Sequence, residues 1–279
     1  MPASALVHTD SAAVTDIGLT RPLNEDAVVA RFPVFMVADG MGGHDAGDRA
    51  SGIVAEEMGL LANTDSIKVA EVKNRLFAAR HRIMALYAAR PERAAGTTVS
   101  GVVVIGQAGV PYWLVVNLGD SRTYRLADAT LEQLSVDHSE VQELIDRGAL
   151  SPDQARVHPQ RNVVTRALGA GVLHDPDYWL VPIEEHDRVL VCTDGLTTEV
   201  TDARIAALLL AHRTPAEAAR ALVEEALGAG GRDNISVIVV DAWDVAGAAE
   251  DAEPTRDGLA DSGSEDTVPR PDIELGGRK

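Results

Sequence analysis

An acidic residue directly after a short apolar run is the first feature of this sequence that could do chemistry. Residues 34–38 read VFMVA, and Asp39 follows them, ahead of Gly40, Gly42 and Gly43. An apolar run bounded by turn residues predicts a buried strand, and glycines let the backbone approach a ligand closely. Taken alone, the stretch fits a strand followed by an acidic turn. A buried carboxylate is nevertheless expensive unless it is paired or binds a metal, so Asp39 is a candidate metal ligand.

Three further aspartates stand beside strand-like runs elsewhere in the chain. Asp194 follows RVLVCT, Asp120 follows YWLVVNLG, and Asp233 precedes the β-branched run ISVIVV. Four aspartates at or beside the ends of core strands suggest a single cluster of oxygen ligands, although spacing alone does not prove that they meet. Oxygen ligands suit Mg²⁺ or Mn²⁺ better than zinc, which prefers nitrogen and sulfur. The sequence therefore predicts a site for a divalent cation.

Composition narrows the class of protein. The net charge is −18 over 279 residues, which argues against a nucleic-acid surface, since that would need a basic stripe. A single cysteine, Cys192, excludes an intramolecular disulfide framework, and no segment resembles a secretory signal. No apolar segment reaches the length of a membrane span. We therefore expect a cytoplasmic protein that binds cations and contacts neither nucleic acid nor a membrane.

Strands and helices are predicted on both sides of these candidate ligands. Residues 1–10 resemble a loose lead-in, and small and apolar residues then predict strands at 14–18 and from Ala27. The polar connection between them holds Arg21, whose guanidinium fork matches the oxygens of a phosphate; without context it is as easily a surface arginine. The next predicted elements are helices over 45–61 and 66–89 and a three-stranded meander over 97–106, 110–120 and 121–127.

The second half of the chain returns to a helical pattern before more strands follow. Residues 139–158 are polar, have helical periodicity and interrupt a β region, as mobile covers beside a site often do. The other predicted elements are strands over 162–169, 177–183 and 188–195, two helices over 202–227 and a strand over 235–240. Residues 245–279 contain hardly any large apolar side chains, so they are predicted to form a disordered acidic tail.

Eight short motifs stand in a fixed order along the chain. They are RPLNEDA (21–27), ADGMGGHDAG (38–47), AGTT (95–98), NLGDSRTY (117–124), VDHS (136–139), TRALG (165–169), CTDGL (192–196) and GRDNISVI (231–238). A single Asp-Gly or Gly-Asp dipeptide would be weak evidence, but together the eight motifs follow the order and rough spacing of one family. Over about residues 8–243 the chain resembles the bacterial branch of the metal-dependent type 2C protein phosphatases, the PPM family.

This resemblance implies a metal ligand set. Asp39 resembles the carboxylate that bridges two metal ions, and the carbonyl of Gly40 resembles a further ligand. Asp194 and Asp233 resemble the remaining ligands of the first ion. Glu25 resembles the acid that holds the second ion, partly through water. The implied cofactor is Mn²⁺ or Mg²⁺.

The resemblance also implies roles for residues around that ligand set. Asp26 resembles a residue that supports the second ion. Asp120 and Asp194 resemble the pair that holds a third, weaker ion in bacterial members. Arg21 resembles the arginine that binds the substrate phosphate, so Arg21 and Asp39 are the implied catalytic residues.

The implied fold is α+β, with four layers in the order α-β-β-α and a central antiparallel β-sandwich flanked by helices. The catalytic domain would span residues 1–244, with a variable flap over about residues 139–165 that is thought to influence substrate choice. A monomer is expected. Two departures stand out: Met41 occupies the place of a histidine proposed as a general acid in many relatives, with His44 nearby, and Thr198 occupies the place of an aspartate.

The implied reaction is hydrolysis of phosphoserine or phosphothreonine by in-line attack of a water that bridges two metal ions. The implied partners are phosphorylated proteins, namely a Ser/Thr kinase and its substrates. Three other functions are conceivable: a pseudophosphatase that only binds, a metal-stabilised structural protein, and a phosphatase for an anti-sigma antagonist protein. The intact Asp39, Asp120, Asp194 and Asp233 argue against the first. Arg21 and the flap argue against the second, and the sequence does not decide the third.

Overall fold

Two antiparallel sheets lie at the centre of the molecule, and helices cover their outer faces. The computed structural model describes residues 3–42, 46–64, 66–88, 95–170 and 174–246. The strands are β1 (His8–Asp16), β2 (Asp26–Arg31), β3 (Val34–Met41), β4 (Gly96–Thr97), β5 (Val99–Gln107), β6 (Val110–Leu118), β7 (Arg122–Ala127), β8 (Thr130–Gln133), β9 (Asp177–Pro182), β10 (Arg188–Cys192) and β11 (Ile235–Trp243). The helices are α1 (Ala46–Gly59), α2 (Val69–Tyr87), α3 (Glu140–Asp146), α4 (Pro152–Arg156), α5 (Asp194–Thr197), α6 (Asp202–Ala211) and α7 (Pro215–Ala229), after a short 3-10 helix at Ala3–Ala5.

The order of strands differs between the two sheets, and both are antiparallel throughout. One sheet runs β1-β11-β10-β7-β8, and the other runs β2-β3-β5-β6-β9 with β4 paired to β3. Three hydrophobic cores separate the layers: one between the sheets, one under α1 and α2, and one under α6 and α7. This arrangement confirms the predicted α+β sandwich with four layers in the order α-β-β-α.

The alternation of side chains along β3 explains how an acidic residue reaches the middle layer. Val34 and Met36 pack under the helices, whereas Phe35 and Val37 belong to the core between the sheets. Since side chains in a strand alternate with a period of two, Asp39 faces the same side as Phe35 and Val37. The hydrophobic core between the sheets thus ends, at this edge, in a carboxylate.

The start of the chain corrects one prediction. The prediction of a loose lead-in over residues 1–10 is wrong for the described residues, because strand β1 begins at His8. This strand pairs with β11, and His8 lies opposite Trp243. Ahead of it, Ala3 and Val7 are buried in the core between the sheets. Short apolar residues before a strand carry no periodic signal, so local sequence could not show that they are buried.

The prediction of a three-stranded meander is wrong for its third strand, residues 121–127. β5 and β6 pair with each other in one sheet, but β7 pairs with β10 in the other sheet. The turn at Gly119 carries the chain across, with φ at +113°. Strand β8 lies next to β7 and was not predicted. Alternation of apolar residues indicates a strand and its buried face, but it does not indicate the neighbouring strand.

The predictions for the remaining elements are largely confirmed. The run over 162–169 is the exception, because it forms only isolated bridges, Ser139 with Val164 and Thr97 with Leu168. Helices α3 and α4 lie within the predicted flap, and Ser139 and Ser151 cap them. Within the described ranges, none of the helices has the length and apolarity needed to cross a bilayer.

Two residues beyond the predicted domain boundary still contact the domain. The Ala246 N–H donates to the Leu6 carbonyl at 2.7 Å. Val245 packs against the core between the sheets, and its N–H donates to Glu185 Oε2 at 2.9 Å. The rest of the predicted tail, residues 247–279, lies outside the described residues, so its disorder stays a prediction.

Candidate metal centre

Asp26 and Asp39 lie opposite each other at the edge of the sheet formed by β2 and β3. They are partners in the antiparallel register of these strands. Val28 and Ala30, which share the face of Asp26, pack against the core between the sheets. Both carboxylates therefore enter the same space, at the end of the layer between the two sheets.

The other predicted aspartates converge on this space. Burial raises the pKa of Asp39 well above its usual range, and the negative charges of Asp26, Asp194, Asp120 and Asp233 raise it further. Asp39 retains some accessible surface, but protein atoms surround its carboxylate closely enough for desolvation to dominate. Because charges act on each other appreciably only at short range in a protein, the structure brings all four predicted strand-end aspartates together and adds Asp26.

The crowding has a similar effect on two other carboxylates. Burial raises the pKa of Asp26 to about 7, against the opposing hydrogen bonds from the hydroxyls of Ser236 and Thr193. One of these, from Thr193 Oγ1 to Asp26 Oδ2, measures 3.0 Å. Burial, followed by the charge of Asp233, raises the pKa of Asp194 to about 6. A hydrogen bond from Asp39 opposes this shift, because a bond donated to the ionised carboxylate favours the charged form.

Asp120 is held beside this cluster with an arginine close by. The residue is 8% exposed, and burial raises its pKa well above the usual range, as does the charge of Asp194. The Arg122 guanidinium acts in the opposite direction on the pKa of Asp120. Arg122 itself forms a two-pronged pair with Asp137, from Nε to Oδ1 at 3.0 Å and from Nη2 to Oδ2 at 2.7 Å. Arg122 was not predicted, although it is part of the motif NLGDSRTY.

Arg21 lies at the mouth of the acidic cluster. Its Nη2 donates to Asp233 Oδ2 at 2.6 Å, and its side chain is 48% exposed. The hydrogen bond to Asp233 is the main reason that the pKa of Arg21 is raised, and the charges of Asp39 and Asp194 contribute. A cation with an accessible face, set against five carboxylates, can bind an incoming anion at this mouth.

Glu25 and Gly40 lie together on the α1 side of the site. The Gly40 N–H donates to the Glu25 carbonyl at 3.1 Å, and the Gly47 N–H bonds to the Glu25 carboxylate. A Cβ atom on Gly40 would lie 2.2 Å from the Gly47 carbonyl oxygen, and one on Gly47 would lie 2.6 Å from Glu25 Oε1. Only glycine fits these positions, so the glycines allow the close approach that was expected after Asp39.

Asp48 is an acidic residue of the site that sequence reasoning missed. Burial is the main reason that the pKa of Glu25 is raised, and the charge of Asp48 raises it further. Asp48 Oδ1 is buried and has no hydrogen-bond partner among the described residues. Its position directly after Gly47, in the extension of the motif ADGMGGHDAG, was the signal that could have identified it. His44 lies outside the described residues.

The donor set fits divalent cations. All the candidate side chains offer oxygen, which Mg²⁺ and Mn²⁺ prefer, and Asp26 Oδ1 is buried without a hydrogen-bond partner in the part of the chain that is described. In those same ranges no three acidic, histidine or cysteine side chains form a ready-made cage. Asp233 is instead turned toward Arg21, and Asp194 toward Asp39. A divalent cation would lower the raised carboxylate pKa values, because it favours the charged forms.

A cleft extends from the acidic cluster to the predicted flap. It encloses about 440 Å³ and is lined by Asp120 and Asp194 on one side and by residues of α3 and α4 on the other. Arg156 and Arg161 line the flap side. The cleft therefore places arginines of the flap region opposite the carboxylates of Asp120 and Asp194.

The family model for "Protein phosphatase 2C" matches residues 23–228 of this chain. The chain is 37% identical over 240 residues to the serine/threonine protein phosphatase PstP of Mycobacterium tuberculosis, which covers 84% of this chain and 45% of PstP. It thus spans less than half the length of that relative. It is 35% identical over 244 residues to the serine/threonine phosphatase stp of Listeria innocua, which covers 81% of this chain and 93% of stp.

Solved structures of similar proteins have the same fold. The catalytic domain of PstP in complex with two manganese ions superposes with a TM-score of 0.78 at 35% identity, covering 86% of this chain and 100% of that domain. The serine/threonine phosphatase of S. agalactiae superposes with a TM-score of 0.74 at 30% identity, covering 84% and 99% of the two chains.

Proposed function

This chain belongs to the protein phosphatase 2C family, and on that premise we propose that it is a metal-dependent protein serine/threonine phosphatase. The observation that carries the proposal is the cluster of Asp26, Asp39, Asp120, Asp194 and Asp233 at one end of the β-sandwich. Such a concentration of buried negative charge is unfavourable without cations, and it stands beside an arginine that can bind phosphate.

The proposed cofactor is Mn²⁺ or Mg²⁺. Asp39 and the Gly40 carbonyl, with Asp194 and Asp233, would hold the first ion, and Asp39 with Glu25 would hold the second. When bound, two such ions supply charge neutralisation and a water activated for in-line attack on phosphorus. The two manganese ions in the catalytic domain of PstP support this choice of metal.

Other residues of the centre would set the charge and position of these ligands. Asp26 lies opposite Asp39 and accepts a hydrogen bond from Thr193, so it would support Asp39 as a ligand from the neighbouring strand. Asp120 and Asp194 would form a third, weaker cation site beside Arg122. Any proton held by Asp39 or Asp194, whose pKa values are raised, would have to leave when a cation binds, because the cation needs the ionised forms.

Arg21 would bind the phosphate of the substrate. Its guanidinium is half-exposed and already next to Asp233, so it can donate outward to phosphate oxygens while remaining beside the carboxylates. A fork of parallel N–H donors matches two phosphate oxygens. Arg21 would therefore orient the phosphoryl group over the centre rather than take part in proton transfer.

The proposed substrates are phosphorylated proteins, and the proposed antagonist is a Ser/Thr kinase. The relatives PstP and stp are named as serine/threonine phosphatases, and the open cleft between the centre and the flap can take an extended peptide. The catalytic domain would end near Ala246 and would be active as a monomer.

The Asp39→Asn substitution tests the proposed function. The variant should lose nearly all hydrolysis of para-nitrophenyl phosphate and of a phosphothreonine peptide with Mn²⁺, because the shared ligand loses its charge. Asp128→Asn is the matched control, since Asp128 lies in the β7–β8 turn with φ at +47°, a conformation that Asn tolerates. Wild-type protein in excess EDTA should be inactive. Full activity of Asp39→Asn, or of the wild type in chelator, would overturn the proposal.

A further inference from the structure

A buried polar segment connects the acidic centre to the flap, and none of the proposed metal ligands belongs to it. It is the motif VDHS, in which Asp137, His138 and Ser139 are 9%, 6% and 1% exposed. It follows β8 and leads directly into α3. Buried polar side chains are retained only when they are hydrogen-bonded, so the bonds of this segment indicate what it holds.

The backbone and the side chain of His138 both form hydrogen bonds with Gly119, the residue directly before Asp120. The His138 N–H donates to the Gly119 carbonyl at 2.8 Å. The Gly119 N–H in turn donates to His138 Nδ1 at 3.1 Å. Because Nδ1 accepts this bond, the ring proton sits on Nε2, and Nε2 donates to Asp177 Oδ2 at 3.2 Å. The ring is therefore held in one tautomer and one orientation.

The turn that carries Asp120 is held from its other side by Thr98. A Cβ atom on Gly119 would lie 2.6 Å from the Cβ and Cγ2 atoms of Thr98. Beyond Asp120, the hydroxyls of Ser121 and Thr98 are 2.7 Å apart. Asp120 is thus the middle residue of a turn fixed between Thr98 and His138, with little freedom to move by itself.

The same histidine is bonded to the flap. Its carbonyl accepts from the Thr165 N–H at 2.8 Å. The next residue, Ser139, caps α3 by accepting from the Gln142 N–H at 3.3 Å. The Glu140 N–H donates to the Val163 carbonyl at 2.9 Å. The two ends of the predicted flap, near Glu140 and near Thr165, are therefore hydrogen-bonded either to His138 or to each other.

We propose that His138 is a positioning residue that holds Asp120 in place for cation binding and links it to the flap. This inference rests on the proposed role of Asp120 as a cation ligand. The Gly119 N–H is the contact that matters, because it sets the backbone of the residue next to the ligand. Groups that orient a metal ligand without touching the metal typically change metal affinity by about 10- to 100-fold when they are replaced.

Two substitutions separate the bonds of the imidazole ring. In His138→Asn the amide oxygen can take the place of Nδ1 and still accept from Gly119. In His138→Gln the amide nitrogen can take the place of Nε2 and still donate to Asp177, but the acceptor for Gly119 is lost. His138→Leu removes both bonds. Binding of Mn²⁺ to each full-length variant is followed by electron paramagnetic resonance of the free ion, with Asp120→Asn as the reference for loss of the ligand.

The expected result is a difference between two variants of similar size. His138→Gln and His138→Leu should weaken the weakest Mn²⁺ binding step by about 10- to 100-fold, as Asp120→Asn should, while His138→Asn should stay within about threefold of the wild type. The Mn²⁺ concentration for half-maximal turnover of para-nitrophenyl phosphate should shift in the same order. Equal Mn²⁺ binding by the Gln and Asn variants, at whatever melting temperatures, would show a merely structural role and overturn the proposal.

The link to the flap has its own readout. Mn²⁺ should slow hydrogen exchange of the α3 amides in the wild type and in His138→Asn, but not in His138→Gln. The same slowing in all three proteins would overturn the link. Absence of Mn²⁺-dependent turnover by the wild type would instead contradict the proposed function, and the binding titration of the Gln and Asn variants would still decide the role of His138.

Discussion

Thr98 holds the backbone of Asp39 from both sides. Its hydroxyl accepts a hydrogen bond from the Asp39 N–H at 3.0 Å, and its own N–H donates to the Asp39 carbonyl at 2.9 Å. The same hydroxyl lies 2.7 Å from that of Ser121, next to Asp120. Thr98 therefore connects Asp39, at the end of β3, to the turn between β6 and β7 that carries Asp120. Because it is fully buried, water cannot replace these bonds.

The first prediction concerns this hydroxyl. Thr98→Val keeps the shape of the side chain but leaves the Asp39 N–H without its partner, which should lower the free energy of unfolding by about 1–3 kcal/mol. A small displacement of Asp39 should also reduce kcat for para-nitrophenyl phosphate by about 10- to 100-fold. Urea unfolding and steady-state kinetics measure the two effects. Thr98→Ser is the control that keeps the hydroxyl, and an unchanged kcat in the valine variant would contradict this role.

The second prediction concerns Arg21. Arg21→Ala should raise KM for a phosphothreonine peptide by about 10- to 100-fold, the value of one lost charge-assisted hydrogen bond. kcat should fall less, because the arginine holds the phosphate in the ground state and in the transition state alike. Arg220→Ala, an exposed arginine on α7, is the control. An unchanged KM would show that Arg21 is an ordinary surface residue.

The third prediction concerns the pH dependence of stability in chelator. The folded protein holds the pKa of Asp26 at about 7 and that of Asp194 at about 6, above the usual value of 3.8. Between about pH 4 and about pH 7 the folded protein therefore binds more protons than the unfolded chain. Its free energy of unfolding should fall as the pH rises through this range. Below this range the contribution is fully present.

Urea unfolding in EDTA across that range measures the effect. Asp26→Asn should flatten the fall, because an amide does not titrate, whereas the exposed control Asp10→Asn should keep it. In the wild type, Mn²⁺ in place of EDTA should also flatten it, since a cation stabilises the ionised carboxylates. An identical pH dependence in the wild type and Asp26→Asn would rule out a raised pKa at this residue.

The fourth prediction concerns the acidic tail. A chain that ends at Ala246 should keep the melting temperature and the turnover of para-nitrophenyl phosphate, because residues 247–279 lack the apolar content to join the core. A chain that ends at Trp243 should melt several degrees lower, since it loses the bond from Ala246 to Leu6 and the packing of Val245. Differential scanning calorimetry compares the two. A large loss of stability on ending at Ala246 would place part of the tail in the fold.

Local features of the sequence determined much of the secondary structure around the site. The apolar run before Asp39 forms β3, and Thr214 with Pro215 begins α7 through a capping box. These signals are local because a strand or a cap depends on residues that are adjacent in the chain. The eight ordered motifs identified the family and, through it, the layers of the fold.

The predicted ligand aspartates could be named without coordinates, but their supports could not. Arg122, Asp137 and Thr98 all lie within or beside motifs that were recognised, yet their partners are far away in sequence. Thr98 bonds to a residue 59 positions away, and Arg122 to one 15 positions away. A hydrogen bond between distant residues leaves no periodic pattern, so only the folded chain shows it.

By itself, the sequence determined where the acidic residues stand and most of the runs that form strands, with 162–169 and β8 as the exceptions, because side chains in a strand alternate with a fixed period of two. Only the tertiary structure decided that β7 leaves the sheet of β6, that Asp26 lies opposite Asp39, and that His138 clamps Gly119. The physical reason is that alternation specifies a face but not a neighbour. The choice of neighbour depends on how whole sheets pack, and that packing sets the positions of the carboxylates and of the residues that hold them.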